Sequence, residues 1–163
     1  MTIARSGGAD LVVDAPVDAV WPVVSDVTRT GEWSGECREV TWRHRRTVPA
    51  PGARFRGRNR SGWRRWSRTC ELTAVDPPQT ITWRTLPSPL FRDSSEWRIA
   101  LEPAGTGTLI RLSYRVTLLP RWLERILSVV GPDHADRTAG LTEDLRRLGR
   151  VVAAEAAHTP AEG

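Results

Sequence analysis

Eight tryptophans, at 21, 33, 42, 63, 66, 83, 97 and 122, outnumber the two phenylalanines and the single tyrosine of this 163-residue chain. An indole offers a broad apolar face and one N–H donor, so several together suit a ring system or an acyl chain. The alternative for any one of them is plain core filling. Three polar side chains fall in phase with these aromatics. Arg68 alternates with Trp66, Cys70 and Leu72, which places it on their face of a strand. A guanidinium on an apolar face needs an anion. An acidic ligand group or a carboxylate such as Glu32 or Glu36 can supply it, unless the strand phase slips near the turn and Arg68 is solvated. Asn59 and Tyr114 are inward candidates of the same kind, as hydrogen-bond anchors or as groups that polarise an enol.

Other reactive residue types form no constellation. His44, His134 and His158 are scattered and make no metal-ligand spacing, and Cys37 and Cys70 form no CxxC. No metal and no cofactor are expected. The two thiols read as free, with Cys70 a small buried hydrophobe. His134, near the start of a long helix, either reaches a cavity rim as an acid/base group or lies on the surface. No nucleophile elbow, Walker loop or dinucleotide fingerprint is present, and Gly105-Thr106-Gly107 is a turn.

The charge is concentrated in one segment. All 24 basic residues are arginine, and the formal net charge is +5. Ten of these arginines lie between Val40 and Cys70, where there is no Asp or Glu, so the remainder of the chain is net acidic. Arg54, Arg56, Arg58 and Arg60 occupy alternate positions and must project from one strand face. With Arg43 and Arg45 they form either a basic patch for an anionic surface or a solvated sheet face. No helix-turn-helix, RNA-binding sheet motif or basic arm accompanies them, so specific nucleic-acid binding is not expected.

These side chains need elements to position them. The length fits one domain over 1–157, with a disordered tail at 158–163. A first strand ends at Leu11-Val12-Val13. Pro16 and the acids around it start a short helix over about 16–25, and a second short turn or helix runs from 27 to 33. Turn signals then separate strands at 37–46, 53–60, 65–76, 80–86, 94–103 and 107–118. Period-two patterning puts Ile110, Leu112, Tyr114, Val116 and Leu118 on one face, and Trp66, Arg68, Cys70, Leu72 and Ala74 on one face of another strand. After Pro120 a short amphipathic segment carries Trp122, Leu123, Ile126, Leu127 and Val130. Leu141, Leu145, Leu148 and Val152 then mark a long helix over about 133–157 with one apolar stripe. The order predicts an α+β fold whose long helix buries its stripe on a curved antiparallel sheet.

At this point the chain resembles the START-like SRPBCC superfamily, in its bacterial polyketide cyclase/dehydrase and lipid-transport-like branch. The resemblance is carried by Val13-Asp14-Ala15-Pro16-Val17-Asp18-Ala19-Val20-Trp21, Ser25 to Trp33, Pro51 to Arg60, Trp66 to Glu71 and the strand around Trp97. It covers roughly residues 9 to 155. It implies a helix-grip fold, with seven strands wrapped round the C-terminal helix and an apolar ligand cavity between them. In that frame the cavity candidates are Trp33 (at the mouth), Phe55, Asn59, Trp66, Arg68, Trp83, Trp97, Tyr114 and Leu141.

Three functions fit. The first is binding or transport of a small hydrophobic molecule, lipid or polyketide-like. The second is a cyclase or dehydratase that orients and polarises its substrate with Arg68, Asn59 or Tyr114. The third is contact with an anionic surface through the Arg-rich sheet face. No apolar run approaches the roughly 20 residues that span a bilayer, and the first residues do not form a signal peptide, so a cytoplasmic location is expected. The chain reads as a monomer or a homodimer, and peripheral contact with an anionic membrane stays open only through the third function.

Overall fold

The computed structural model describes residues 4–45, 48–130 and 137–158. In chain order the elements are β1 (Ser6–Val13), α1 (Val17–Ser25), a 3-10 turn (Val27–Arg29), α2 (Thr30–Trp33), β2 (Cys37–Trp42), β3 (Arg54–Ser61), β4 (Arg64–Asp76), β5 (Thr80–Thr85), β6 (Ser94–Ala104), β7 (Gly107–Leu118), α3 (Arg121–Val130) and α4 (Thr138–His158). The seven strands form one antiparallel sheet in the order β1-β7-β6-β5-β4-β3-β2. The edge strands β1 and β2 are therefore joined by α1 and α2, which carry the chain across the sheet. This is the expected α+β helix-grip architecture.

Alternation makes the sheet two-faced. On β7, Ile110, Leu112 and Tyr114 are buried, whereas Arg111, Ser113 and Arg115 are exposed. The buried set meets the stripe of α4, in which Leu141, Leu145, Leu148 and Val152 are all buried. Withdrawing each of these side chains from water contributes about 1.5–3 kcal/mol before entropy is set against it. Polar contacts then fix the position of α4. The Asp144 carboxylate accepts the Gly35 N–H at 2.8 Å and the Arg147 guanidinium at 2.7 Å, while Arg147 Nε donates to the Trp33 carbonyl at 3.0 Å. At the far end of the helix, Glu155 pairs with Arg29, which also holds Glu32. The α2–β2 junction is close-packed as well, since a Cβ on Gly31 would lie 2.4 Å from the Arg38 carbonyl oxygen.

Several boundaries differ from expectation. The strand placed at 37–46 ends at Trp42; Arg43 donates one more bond to the Arg54 carbonyl before the chain bends away. The pairing of β4 with β5 shifts between Leu72 and Ala74. One extra residue flips the phase of the strand. Ala74, expected to share the face of Leu72, is exposed, and Val75 turns toward Ile81 in its place. Leu118 is likewise exposed at the end of β7, beyond a second shift between Ser94 and Ser95. Arg46, His134, the first residues of the helix expected from 133 and all of the tail after His158 lie outside the described residues.

Candidate functional site

Strand pairing brings the aromatics together. Trp83 pairs with Trp97, and Trp97 pairs with Tyr114, so the three side chains form one row across β5, β6 and β7 on the inner face. The two indoles are stacked, with planes 7° apart and centroids 6.3 Å apart. Trp97 and Tyr114 are tilted at 33°, with centroids 5.2 Å apart. Gly7 ends the row on β1. A Cβ there would sit 3.0 Å from the Tyr114 ring and 3.2 Å from its hydroxyl, so the absent side chain is what admits the phenol. On the other side the row continues to Leu72, which pairs with Trp83.

The next positions along these strands are smaller. Thr85 and Cys70 face each other across β5 and β4, and Gly57 lies opposite Arg68 one step further along. A ridge of large rings therefore borders a strip of small side chains. A second aromatic pair, Trp42 and Phe55, closes the β2–β3 side edge to face, at 6.0 Å and 83°. Burial pushes the Cys70 thiol up to about 12 and the Cys37 thiol up to about 11. Both stay protonated at neutral pH, so neither supplies a thiolate nucleophile.

Two arginines border the aromatic row. The Arg137 guanidinium, just before α4, lies 5.6 Å from the Trp97 centroid and 5.9 Å from that of Tyr114, and pairs with Glu36 at 3.4 Å. Cation–π attraction and one carboxylate thus hold a cation over the rings. Arg68 faces inward as its strand phase required, but its partner is neither of the expected carboxylates. Glu32 is engaged by Arg29 and Glu36 by Arg137. Arg68 Nη1 instead donates to both carboxylate oxygens of Asp93, each at 3.0 Å, and Nη2 donates to the Asp93 carbonyl at 2.9 Å. Phe91 covers the guanidinium at 5.3 Å. The Arg68 Nε–H is buried without a hydrogen-bond partner among the described residues. Arg68 is therefore neutralised by the β5–β6 loop, and it anchors that loop against β4.

The remaining candidates are dispersed. Asn59 and Trp66 pair with each other at the end of β3 and β4, and both are partly exposed. Trp33 was expected at a cavity mouth, but it is only 4% exposed, at the seam of α2 with α4. Its indole N–H has no partner among the described residues. Leu141 is buried under the first turn of α4. Sequence reasoning missed Asp93, Phe91 and Arg137. The first two lie in a Pro-rich loop and the third outside any periodic stripe, so neither alternation nor helical spacing marks them.

The Arg ladder points away from this site. Arg54, Arg56 and Arg58 are exposed on the outer face, where Arg54 and Arg84 both bind Glu71 and Arg58 binds Glu39. The paired guanidinium groups hold the Glu71 carboxyl below its ordinary range. No helix among the described residues is long and apolar enough to cross a membrane.

Comparison with known proteins bears on this arrangement. Residues 9–153 match the family described as polyketide cyclase/dehydrase and lipid transport. The chain belongs to that family. Among solved structures, this polyketide cyclase/dehydrase family member is similar to the Polyketide_cyc-like protein Cgl2372 from Corynebacterium glutamicum, at 25% identity and a TM-score of 0.62, with 100% of each chain covered. It shares its fold with the ZhuI aromatase/cyclase from Streptomyces sp. R1128, at 19% identity, a TM-score of 0.67 and 98% of each chain covered. It also shares its fold with the protein TTHA0849 from Thermus thermophilus, at 16% identity and a TM-score of 0.71, covering 93% of this chain and 99% of that one. No curated protein matches the sequence. Family and neighbours together make this a hydrophobic-ligand-binding fold.

Proposed function

We propose that the chain binds a small hydrophobic molecule carrying a flat ring system, seated against the inner face of the sheet beside Trp83, Trp97 and Tyr114. The observation that carries this reading is the aromatic row bordered by Thr85, Cys70 and Gly57 and capped by Arg137. A ring lying on that strip meets the indole faces on one side and small side chains beneath it, which suits a planar apolar body. Arg137 adds a donor, so a hydroxyl or carbonyl on the ring edge is favoured over a bare hydrocarbon. Phe55, Trp66 and Asn59 extend the same face toward β3, whereas Arg68 serves the site by fixing the β5–β6 loop.

A second reading is a cyclase-type enzyme acting on the same face. The whole-length likeness to an aromatase/cyclase favours it. Tyr114 and Asn59 are then the groups that orient and polarise a carbonyl, since both thiols stay protonated and Arg68 is already paired.

The test is a fluorescence titration with 1-naphthol and with decane-1-ol. The binding reading predicts saturable binding of the naphthol that is weakened about tenfold or more by Trp97→Ala, the loss expected for one large ring contact. Equal affinity for the straight-chain alcohol contradicts a flat-ring ligand, and insensitivity to Trp97→Ala contradicts the site.

A further inference from the structure

Among the described residues, the large hydrophobic side chains that are exposed are not scattered. Strand directions assign each of them to one end of the sheet or the other. β3 runs into β4 at Ser61–Arg64, β5 into β6 at residues 86–93, and β7 into α3 at residues 118–121. In an antiparallel sheet of this order all three connections lie at the same end. That end carries Trp63, Leu90, Leu118, Trp122, Ile126 and Val129, with Trp63 at 87% and Val129 at 83% exposure. Within α3, Trp122, Ile126 and Val129 recur at four and three residues, so they form one outward stripe, whereas Leu123 and Leu127 are partly buried. The loops add an apolar groove of about 460 Å³ between Pro87, Pro89, Leu118 and Pro120.

Among the described residues, the unpaired charge at this end is positive. Its carboxylates among those residues are engaged: Asp93 by Arg68, Glu124 by Arg5, Glu36 by Arg137 and Glu96 by Arg115. Arg65, Arg92, Arg121 and Arg125 are exposed and have no carboxylate partner among the described residues. Apolar side chains on three separate projections, interleaved with uncompensated arginine, match the boundary of a bilayer with anionic headgroups. A second copy of the chain fits poorly, because a twofold contact here brings like charges together with no unpaired acid among the described residues to meet them.

We propose that this end docks on an anionic phospholipid surface, with α3 lying in the interface plane and the Trp63 hairpin and Leu90 loop inserted beside it. The outer-face ladder plays no part, since Arg54 and Arg58 already hold carboxylates and Arg56 lies toward the start of β3, at the opposite end of the strand from the Trp63 hairpin. The proposal stands apart from the ligand reading: docking needs no bound molecule, and ring binding needs no membrane.

Co-sedimentation of the full chain with vesicles of phosphatidylcholine alone, and of phosphatidylcholine mixed with phosphatidylglycerol, tests it. Binding is expected to the mixed vesicles, weakening as salt is raised. Trp122→Ser with Ile126→Ser lowers partitioning by about tenfold or more, and Leu90→Ser, in an exposed loop, lowers it without touching the helix. Arg121→Ser and Arg125→Ser each cost about fivefold. Arg56→Ser with Arg58→Ser leaves partitioning unchanged. No binding to the mixed vesicles overturns the proposal. So does binding that survives the Trp122, Ile126 and Leu90 changes but is lost with Arg56 and Arg58, or a concentration-dependent dimer that Trp122→Ser abolishes.

Discussion

Replacing Asp93 by alanine removes the carboxylate that neutralises Arg68. Both oxygens contact Nη1 at 3.0 Å, and the side chains of Arg68 and Asp93 are only 12% and 22% exposed. Stranding a wholly buried charge costs about 3–5 kcal/mol. The residual access of water here lowers that to about 2–3 kcal/mol, because a partly solvated guanidinium recovers some hydration. For a chain of this size the loss corresponds to a melting temperature lower by about 5–10 °C. The assay is a double-mutant cycle of Asp93→Ala and Arg68→Met by urea unfolding. The double variant is expected to be more stable than the sum of the singles implies, by about 1.5–3 kcal/mol, because removing both charges leaves none stranded. Freed from Asp93, Arg68 is also expected to bind an acidic ring compound, so 1-naphthoic acid should bind Asp93→Ala more tightly than wild type. Additive single variants, or an Asp93→Ala cost below about 0.5 kcal/mol, refute the clamp.

Three further outcomes follow from the same structure. Asp144→Ala leaves the Gly35 N–H and Arg147 without their shared acceptor and is expected to cost about 2–3 kcal/mol in urea unfolding, with Asp144→Asn recovering part of it. The lowered Glu71 carboxyl contributes stability that is present above the unfolded carboxyl range near 4 and lost as pH falls through its folded value, so Glu71→Gln should flatten the acid limb of a melting-temperature profile. At pH 8, Cys37 and Cys70 should react with iodoacetamide at least about a hundredfold more slowly than in urea-unfolded protein, since both thiols titrate at about 11 and 12.

Most of the scaffold is readable from alternation and punctuation. Turn signals at Ser61-Gly62, Asp76-Pro77-Pro78 and Gly105-Thr106-Gly107 separate the strands, and the Leu141 to Val152 stripe announces α4. The inward phase of Trp66, Arg68, Trp83, Trp97 and Tyr114 follows from the same rule. What alternation cannot carry is an inserted residue, and so the shift after Leu72 reverses Ala74 and Val75. Pairing between distant segments is equally silent. Asp93 reaches Arg68 from a loop 25 residues away, and Arg137 reaches Trp97 across the interior from the other layer. Both contacts depend on how α4 and the β5–β6 loop settle on the sheet, which no local pattern encodes.

Native mass spectrometry of the chain purified from its source under non-denaturing conditions tests the ligand reading most directly. The account predicts a retained small molecule of defined mass that disappears in Trp97→Ala while the fold persists. A protein that carries nothing and leaves 1-naphthol unbound, or one whose retained molecule is indifferent to Trp97→Ala, contradicts it.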